Sequence, residues 1–181
     1  FPTTAEGLAK LKPVKEGGTV TFGGQTHPAD GNAGAIVTTR ERAHAVATDP
    51  GIEIEILGFG MARVEAGYMP MAPSPAAFNA LKNAGLSISD VVAIKTHNPF
   101  AVNDIALARD TGFAWERMNN YGSSIIWGHP QAPTGMRAII ELIEELVLRG
   151  GGVGLFTGCA AGDTGYATVL RVTDSKTTSK A

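Results

Sequence analysis

Two short stretches of the chain contain side chains that can transfer a proton. The stretch "YGSSIIWGHP" (residues 121–130) places His129 between a glycine and a proline, directly after an apolar run. The stretch "TGCAAGDTG" (157–165) holds Cys159, the single cysteine, among small residues. An imidazole titrates near neutral pH, and a thiolate acts as a base or nucleophile when its pKa is lowered. Both residues also have a structural interpretation, His129 as a turn residue that bonds to backbone and Cys159 as a small buried side chain.

A third polar point is "THNPF" (96–100), in which His97 follows an apolar strand and precedes a helix. His97 is a candidate site residue, or alternatively a strand-end cap. Because ligand sites in α/β proteins gather where strands end, we expect the three loops to meet at one crevice. The histidines and the cysteine do not show zinc spacing, so the sequence predicts no metal site.

The bulk composition narrows the possible partners. The 181 residues are 44% hydrophobic and 18% charged, which is enough for one sizeable core. The net charge is −2 and no block of Lys and Arg occurs, which argues against nucleic acid as a partner. No apolar run reaches the roughly 18 residues of a membrane span. A single cysteine cannot form an internal disulfide, which indicates a reducing, cytoplasmic location.

Strands and helices alternate along the chain, a pattern typical of an α/β fold. Strands are predicted at Gly18–Gly24, Ile52–Gly60 and Val91–His97, and in the runs "GVGLFTG" and "GYATVLRV". Helices are predicted at Pro73–Gly85, Phe100–Gly112 and Thr134–Gly152. The first of these begins with prolines and has a glycine just past its end, as helices often do.

The polar motifs together resemble the C-terminal half of a thiolase, over nearly the whole chain. "GSSIIWGHPQAPTGMR" is similar to the thiolase signature "GGAIAxGHPxGxSGxR", and "GCAAGDTGYA" is similar to the ending "CxGGGxGxA". "THNPF" stands where most thiolases read "NEAF" and the sterol-carrier type reads "HDCF", so the sterol-carrier-like branch is the closest in motif. "GGQTHPADGNAGAIV" occupies the place of the family's "NASGINDGAAA".

The resemblance implies an α/β thiolase fold, a mixed five-stranded sheet with helices on both faces. Residues 1–50 would supply the end of the loop segment and the closing strand and helix of the N-terminal domain. Residues 51–175 would form the C-terminal domain, and residues 176–181 a loose tail.

The resemblance also implies roles for individual residues. His129 matches the histidine that activates the nucleophilic cysteine, and Cys159 matches the second cysteine, an acid/base at the α-carbon. His97 matches the asparagine that helps bind the thioester oxygen through a water. Ala161 stands where a glycine contributes an N–H to an oxyanion hole, and Thr26 matches a serine near the pantetheine arm of coenzyme A.

The implied chemistry is acyl transfer, with Claisen condensation or thiolysis of a 3-oxoacyl-CoA. Acyl-CoA is then a substrate, no cofactor is bound permanently, and the complete enzyme is expected to be a homo-oligomer. The thiolase nucleophile lies in the N-terminal half, and Cys159 is the single cysteine here. A separate chain or a cleaved N-terminal segment is therefore expected as a partner. A non-catalytic binding or dimerisation module and a thiolase-fold aldol lyase remain as alternatives.

Overall fold

The computed structural model describes residues 3–178, and its centre is a mixed four-stranded sheet. The strands are β1 (Ile52–Arg63), β2 (Val91–His97), β3 (Gly151–Ala160) and β4 (Thr164–Asp174). Their order is β1-β4-β3-β2. Strand β4 is antiparallel to both β1 and β3, whereas β2 and β3 are parallel. The carboxyl ends of β2 and β3 therefore lie at the same edge of the sheet.

The described part of the chain contains seven α-helices. They are α1 (Ala5–Ala9), α2 (Arg40–Val46), α3 (Pro73–Ala84), α4 (Ala101–Thr111), α5 (Ser124–Trp127), α6 (Thr134–Leu148) and α7 (Ser175–Thr178). Single turns of 3₁₀-helix occur at Phe22–Gly24, Met69–Met71, Ile88–Asp90 and Trp115–Arg117. No helix among the described residues is long and apolar enough to cross a bilayer.

Helices cover both faces of the sheet. Neighbouring residues of one strand point to opposite faces, so they pack against different helices. Leu155 and Val169 pack with α3 and α4 in one core cluster. Phe156 and Leu170, each the next residue along its strand, pack with α6 in a second cluster. Fold class and helices on both faces are thus confirmed.

The predicted number of five strands is wrong for the described residues, which form four. The segment Gly18–Gly24 makes only an isolated bridge between Thr21 and Pro13, followed by a 3₁₀ turn. Its apolar side chains Val20 and Phe22 are exposed, 40% and 72% respectively. Alternation of glycine, threonine and apolar residues resembles a strand, but this segment has no apolar row that a core could bury.

Helix α3 approaches the sheet closely through small residues. Ala76 and Ala80 are fully buried, and they face Gly60 of β1. A Cβ atom at Gly60 would collide with the carbonyl oxygen of Ala76. As its prolines and glycine predict, α3 has Pro73 at its first position and ends at Gly85 in the left-handed region, with φ of 67°.

Residues before β1 contribute short elements and no strand of the sheet. Helices α1 and α2 contain no buried residue. Of the tail predicted over 176–181, residues 176–178 belong to α7, and residues 179–181 lie outside the described residues. The division of the chain at residues 50 and 175 stays a prediction.

Candidate active site

The three polar motifs meet at one cleft at the carboxyl edge of β2 and β3. The cleft has a volume of about 400 Å³. His97, His129, Cys159 and Ala161 all contribute to its lining. Its walls also include Gln131, Thr134, Gly135, Phe156, Gly158, Ala160 and Tyr166. Residues that are far apart in the chain are thus brought within reach of one small molecule.

His129 is directed by a tight turn between α5 and α6. Gly128 has φ of 86°, which a residue with a side chain rarely adopts. The His129 N–H donates to the carbonyl oxygen of His27 at 2.8 Å. Its Nδ1 lies 2.7 Å from the hydroxyl of Thr134, the first residue of α6. The turn and the hydroxyl together fix the ring, with Nε2 left for the cleft.

His97 ends β2 and is buried, with 7% of its surface exposed. Its Nδ1 lies 2.8 Å from the hydroxyl oxygen of Ser124. Its ring packs beside that of His129, with centroids 4.4 Å apart and planes inclined by 37°. Burial above all, then the neighbouring His129 and Arg137, lowers the pKa of His97 to about 4. His97 is therefore a neutral imidazole at pH 7.

The pKa of His129 is also lowered, first by burial and then by the positive charge of Arg137. Arg137 reaches the same turn, because its Nη1 donates to the carbonyl oxygen of Gly128 at 3.3 Å. Both imidazoles are thus mainly uncharged at neutral pH, a state in which each can accept one proton or donate one hydrogen bond.

Cys159 lies near the end of β3, opposite Gly165 of β4. A Cβ atom at Gly165 would lie 2.8 Å from the backbone nitrogen of Pro73, so α3 can begin against the sheet only because position 165 is glycine. Burial raises the pKa of the Cys159 thiol, and a hydrogen bond from Asn103 Nδ2 at 3.5 Å opposes that effect. The resting group is therefore a thiol, and the Asn103 amide is placed to stabilise its thiolate.

Ala161 lies in the exposed turn that follows β3 and faces the same cleft. Thr26 is placed differently. Its N–H donates to the carbonyl oxygen of Pro99 at 2.8 Å, and its hydroxyl donates to the carbonyl oxygen of Ser124. Thr26 therefore ties the segment before β1 to the loop after His97, and it is not among the residues that line the cleft.

A buried polar network supports the loop that carries His97. Asp104 of α4 accepts hydrogen bonds from Thr96, Asn98 and Asn119, at 2.6, 2.6 and 3.1 Å. Burial raises the pKa of the Asp104 carboxyl, while these three hydrogen bonds act in the opposite direction. Asn98 in turn accepts from the Ile125 N–H at 3.3 Å, which links the network to α5.

Beneath the two histidines, a chain of charges joins β2 to α6. Lys95, with 2% of its side chain exposed, pairs with Glu141 and donates to the carbonyl oxygen of Gly122 at 2.6 Å. Glu141 also lies 3.4 Å from Arg137. The loop before α5 and the turn that carries His129 are therefore held by one ion-pair group.

Sequence reasoning identified the reactive side chains but missed the residues that hold them. Ser124 lies within the stretch 121–130 itself, Lys95 precedes His97 in β2, and Asn103 and Asp104 follow it in α4. Asn103 and Asp104 gave a signal, as polar residues in the first turn of a helix that follows a candidate loop. Among the described residues, no group of three or more His, Cys, Asp or Glu side chains is arranged to hold a metal ion.

The arrangement is suited to proton transfer and to binding a carbonyl oxygen. Two neutral imidazoles and one thiol share the walls of the cleft. An imidazole can donate a hydrogen bond to an oxygen that gains negative charge, and a thiol can exchange a proton with a carbon centre. This combination of groups is compatible with a substrate that forms a carbanion or an enolate.

Comparison with known proteins identifies the family. The thiolase C-terminal domain family matches residues 52–172. The acetyl-CoA acetyltransferase of Syntrophomonas wolfei is 36% identical over 93% of this chain. The 3-ketoacyl-CoA thiolase of Alteromonas mediterranea is 37% identical over 94% of the chain. The chain belongs to the thiolase family, as its motifs predicted.

Solved structures agree with this identification. Human mitochondrial 3-ketoacyl-CoA thiolase superposes with a TM-score of 0.81 and 30% identity, over 93% of this chain. The same human protein in complex with CoA gives a TM-score of 0.81 and 29% identity. The chain spans 43% of the length of the relatives and structures described here. The likeness to the sterol-carrier-like branch stays a prediction.

Proposed function

We propose that this chain is the C-terminal part of a thiolase that transfers an acyl group by thiolysis or Claisen condensation of a 3-oxoacyl-CoA. The observation that carries the proposal is the meeting of His97, His129 and Cys159 in one cleft. The nucleophilic cysteine comes from the N-terminal half of the enzyme.

In thiolysis, the thiolate of that N-terminal cysteine attacks the C3 carbonyl of the substrate. The C2–C3 bond breaks, its electron pair moves to C2, and the Cys159 thiol gives C2 a proton, so that a shortened acyl-enzyme and acetyl-CoA form. The raised pKa of Cys159 supports this role, since the group rests as a thiol and holds the required proton. The thiolate of a second CoA then takes the acyl group from the enzyme cysteine.

His129 acts as the base that activates the N-terminal cysteine. In this role its Nδ1–H donates to the Thr134 hydroxyl, which leaves the lone pair of Nε2 to accept the proton. His97 contributes, through a water, to binding the thioester oxygen, where negative charge develops in the enolate, and the Ala161 N–H contributes to an oxyanion hole. Thr26, which contacts the loop after His97, is the proposed contact with the pantetheine arm.

Coenzyme A enters as part of the substrate and product, and no permanently bound cofactor is proposed. The complete protein is proposed to be a homo-oligomer located in the cytoplasm. The proposed oligomer rests on the family. The proposed location rests on the single cysteine of the chain.

The test is thiolysis of acetoacetyl-CoA by this chain with and without an N-terminal thiolase half. We expect turnover only when both are present, because the covalent thioester needs the N-terminal cysteine. The matched control replaces that cysteine by alanine. Turnover by this chain alone would contradict the proposal. Carbon–carbon cleavage that survives loss of the N-terminal cysteine would favour the aldol lyase. Binding without any turnover would favour a non-catalytic module.

A further inference from the structure

Ser124, the first residue of α5, lies directly behind His97 and is 1% exposed. Its hydroxyl oxygen is 2.8 Å from His97 Nδ1. The thiolase signature aligned with residues 122–137 has alanine at position 124. Most thiolases have asparagine where this chain and the sterol-carrier type have histidine, at position 97. Two departures from the commonest thiolase pattern thus touch each other. A hydroxyl placed against a histidine that replaces an amide points to a matched pair.

The backbone of Ser124 is anchored from three sides, so its hydroxyl has a fixed position. Its carbonyl oxygen accepts from the Thr26 hydroxyl and from the Gly128 N–H. The next residue, Ile125, donates its N–H to Asn98, which follows His97 in the chain. The support of Ser124 therefore includes the loop that carries the histidine.

Which member of the pair donates decides where the protons are. A serine hydroxyl has one proton, and a buried donor without an acceptor is costly. Within residues 3–178, His97 Nδ1 is the one side-chain partner of the Ser124 hydroxyl. If serine donates, Nδ1 is the acceptor, and the single proton of a neutral imidazole lies on Nε2. The low pKa of His97 agrees with a neutral ring.

We propose that Ser124 is a positioning residue that holds His97 as the Nε2–H tautomer, so that the ring presents a hydrogen-bond donor to the cleft. This inference rests on the proposed function, in which His97 binds the thioester oxygen. With the proton on Nδ1, the ring would instead present a lone pair, and it could not donate to that oxygen or to a water between them. An amide NH₂ is always a donor, whereas a neutral imidazole donates from only one of its two nitrogens. Ser124 would fix which nitrogen of His97 is the donor.

The experiment is ¹⁵N NMR of histidine side chains at pH 7 in the complete protein, with the label confined to this chain, which has four histidines. We expect His97 to show a protonated Nε2 and an acceptor Nδ1. In Ser124→Ala, the two nitrogen shifts should move toward a mixture of tautomers. The matched control is Ser123→Ala, a buried neighbour (6% exposed) whose hydroxyl is not the one that contacts His97.

Kinetics give a second readout. Removing an oxyanion donor costs at least about 100-fold in kcat, so we expect His97→Ala to lose about that much and Ser124→Ala roughly tenfold, with KM little changed. A protonated Nδ1 in the unsubstituted protein, or His97 shifts in Ser124→Ala that match those of Ser123→Ala, would overturn the proposal. The expected tautomer in a protein without thiolysis would instead refute the proposed function and leave the contact with Ser124 standing.

Discussion

The rings of His97 and His129 lie side by side, with centroids 4.4 Å apart, although one ends a strand and the other follows a short helix. Each is held at Nδ1 by a hydroxyl, from Ser124 and from Thr134. Two charged imidazoles at this distance would repel each other, and burial disfavours charge on both. The contact therefore depends on both rings being neutral.

That dependence predicts a loss of stability in acid. The pKa of His97 is about 4 in the folded protein and about 6.5 in the unfolded chain, so the unfolded state binds the proton more tightly. The stabilisation is fully present above pH 6.5 and is lost as the pH falls through 4. It amounts to about 3 kcal/mol in total.

Chemical denaturation at pH 7 and pH 4.5 checks this prediction. In His97→Asn, the difference between the two free energies of unfolding should be smaller by about 2–3 kcal/mol than in the unsubstituted protein. His44, which is 54% exposed, provides the control variant His44→Asn. Equal acid sensitivity of the His97 variant and the unsubstituted protein would contradict the assignment.

Replacing Cys159 by serine should separate the two halves of the reaction. A hydroxyl is a far poorer acid and base than a thiol near neutral pH. We expect acyl transfer to the N-terminal cysteine to persist, while exchange of the α-proton and cleavage of the carbon–carbon bond slow by about 100-fold or more. Trapping of the acyl-enzyme and deuterium exchange at C2 measure the two steps. Unchanged exchange would assign Cys159 to a structural role.

Replacing His129 by alanine should affect rate and not folding. The side chain lies in a turn at the cleft and is only partly buried, so we expect a nearly unchanged melting temperature. Loss of a general base should lower kcat/KM by about 100-fold or more. Iodoacetamide labelling of the N-terminal cysteine gives a second measurement, because that cysteine should react more slowly at neutral pH. A lowered melting temperature with normal labelling would make His129 a turn residue.

Asn103 should control how readily Cys159 ionises. Its hydrogen bond favours the thiolate and opposes the effect of burial. In Asn103→Ala, the pKa of Cys159 should rise further, and alkylation of this chain at pH 8 should slow by about tenfold. The rate-against-pH curve should move to higher pH. Asn79→Ala, which removes an exposed bond from Nδ2 to Met61, is the control and should leave the curve in place.

Glu141 should be important for stability, because its removal leaves the buried ammonium of Lys95 without its carboxylate. We expect Glu141→Gln to lower the free energy of unfolding by about 3 kcal/mol. Glu144 is exposed on the same helix, and Glu144→Gln should change the free energy by less than about 0.5 kcal/mol. Urea denaturation measures both free energies of unfolding. If Glu141→Gln lowered this free energy no more than Glu144→Gln, the pair with Lys95 would contribute little to stability.

Local signals in the sequence predicted much of the fold. Prolines at the start and a glycine at the end marked α3, and a short apolar run marked β2. The prediction of a strand at Gly18–Gly24 was wrong, because alternation of residue types cannot show whether a partner strand exists. Asn103, Ser124 and Lys95 could not be assigned from the sequence, because each acts through a partner that only the fold brings near.

Gly165 places a further constraint on the cleft. Cys159 lies opposite it, and α3 begins in the space that a side chain at position 165 would fill. A single-base change in a glycine codon that alters the amino acid always adds at least one carbon. Every amino-acid replacement that one base change can produce at position 165 therefore places atoms in the space that α3 occupies. A residue that takes no part in the chemistry thus limits which sequences are tolerated beside the thiol.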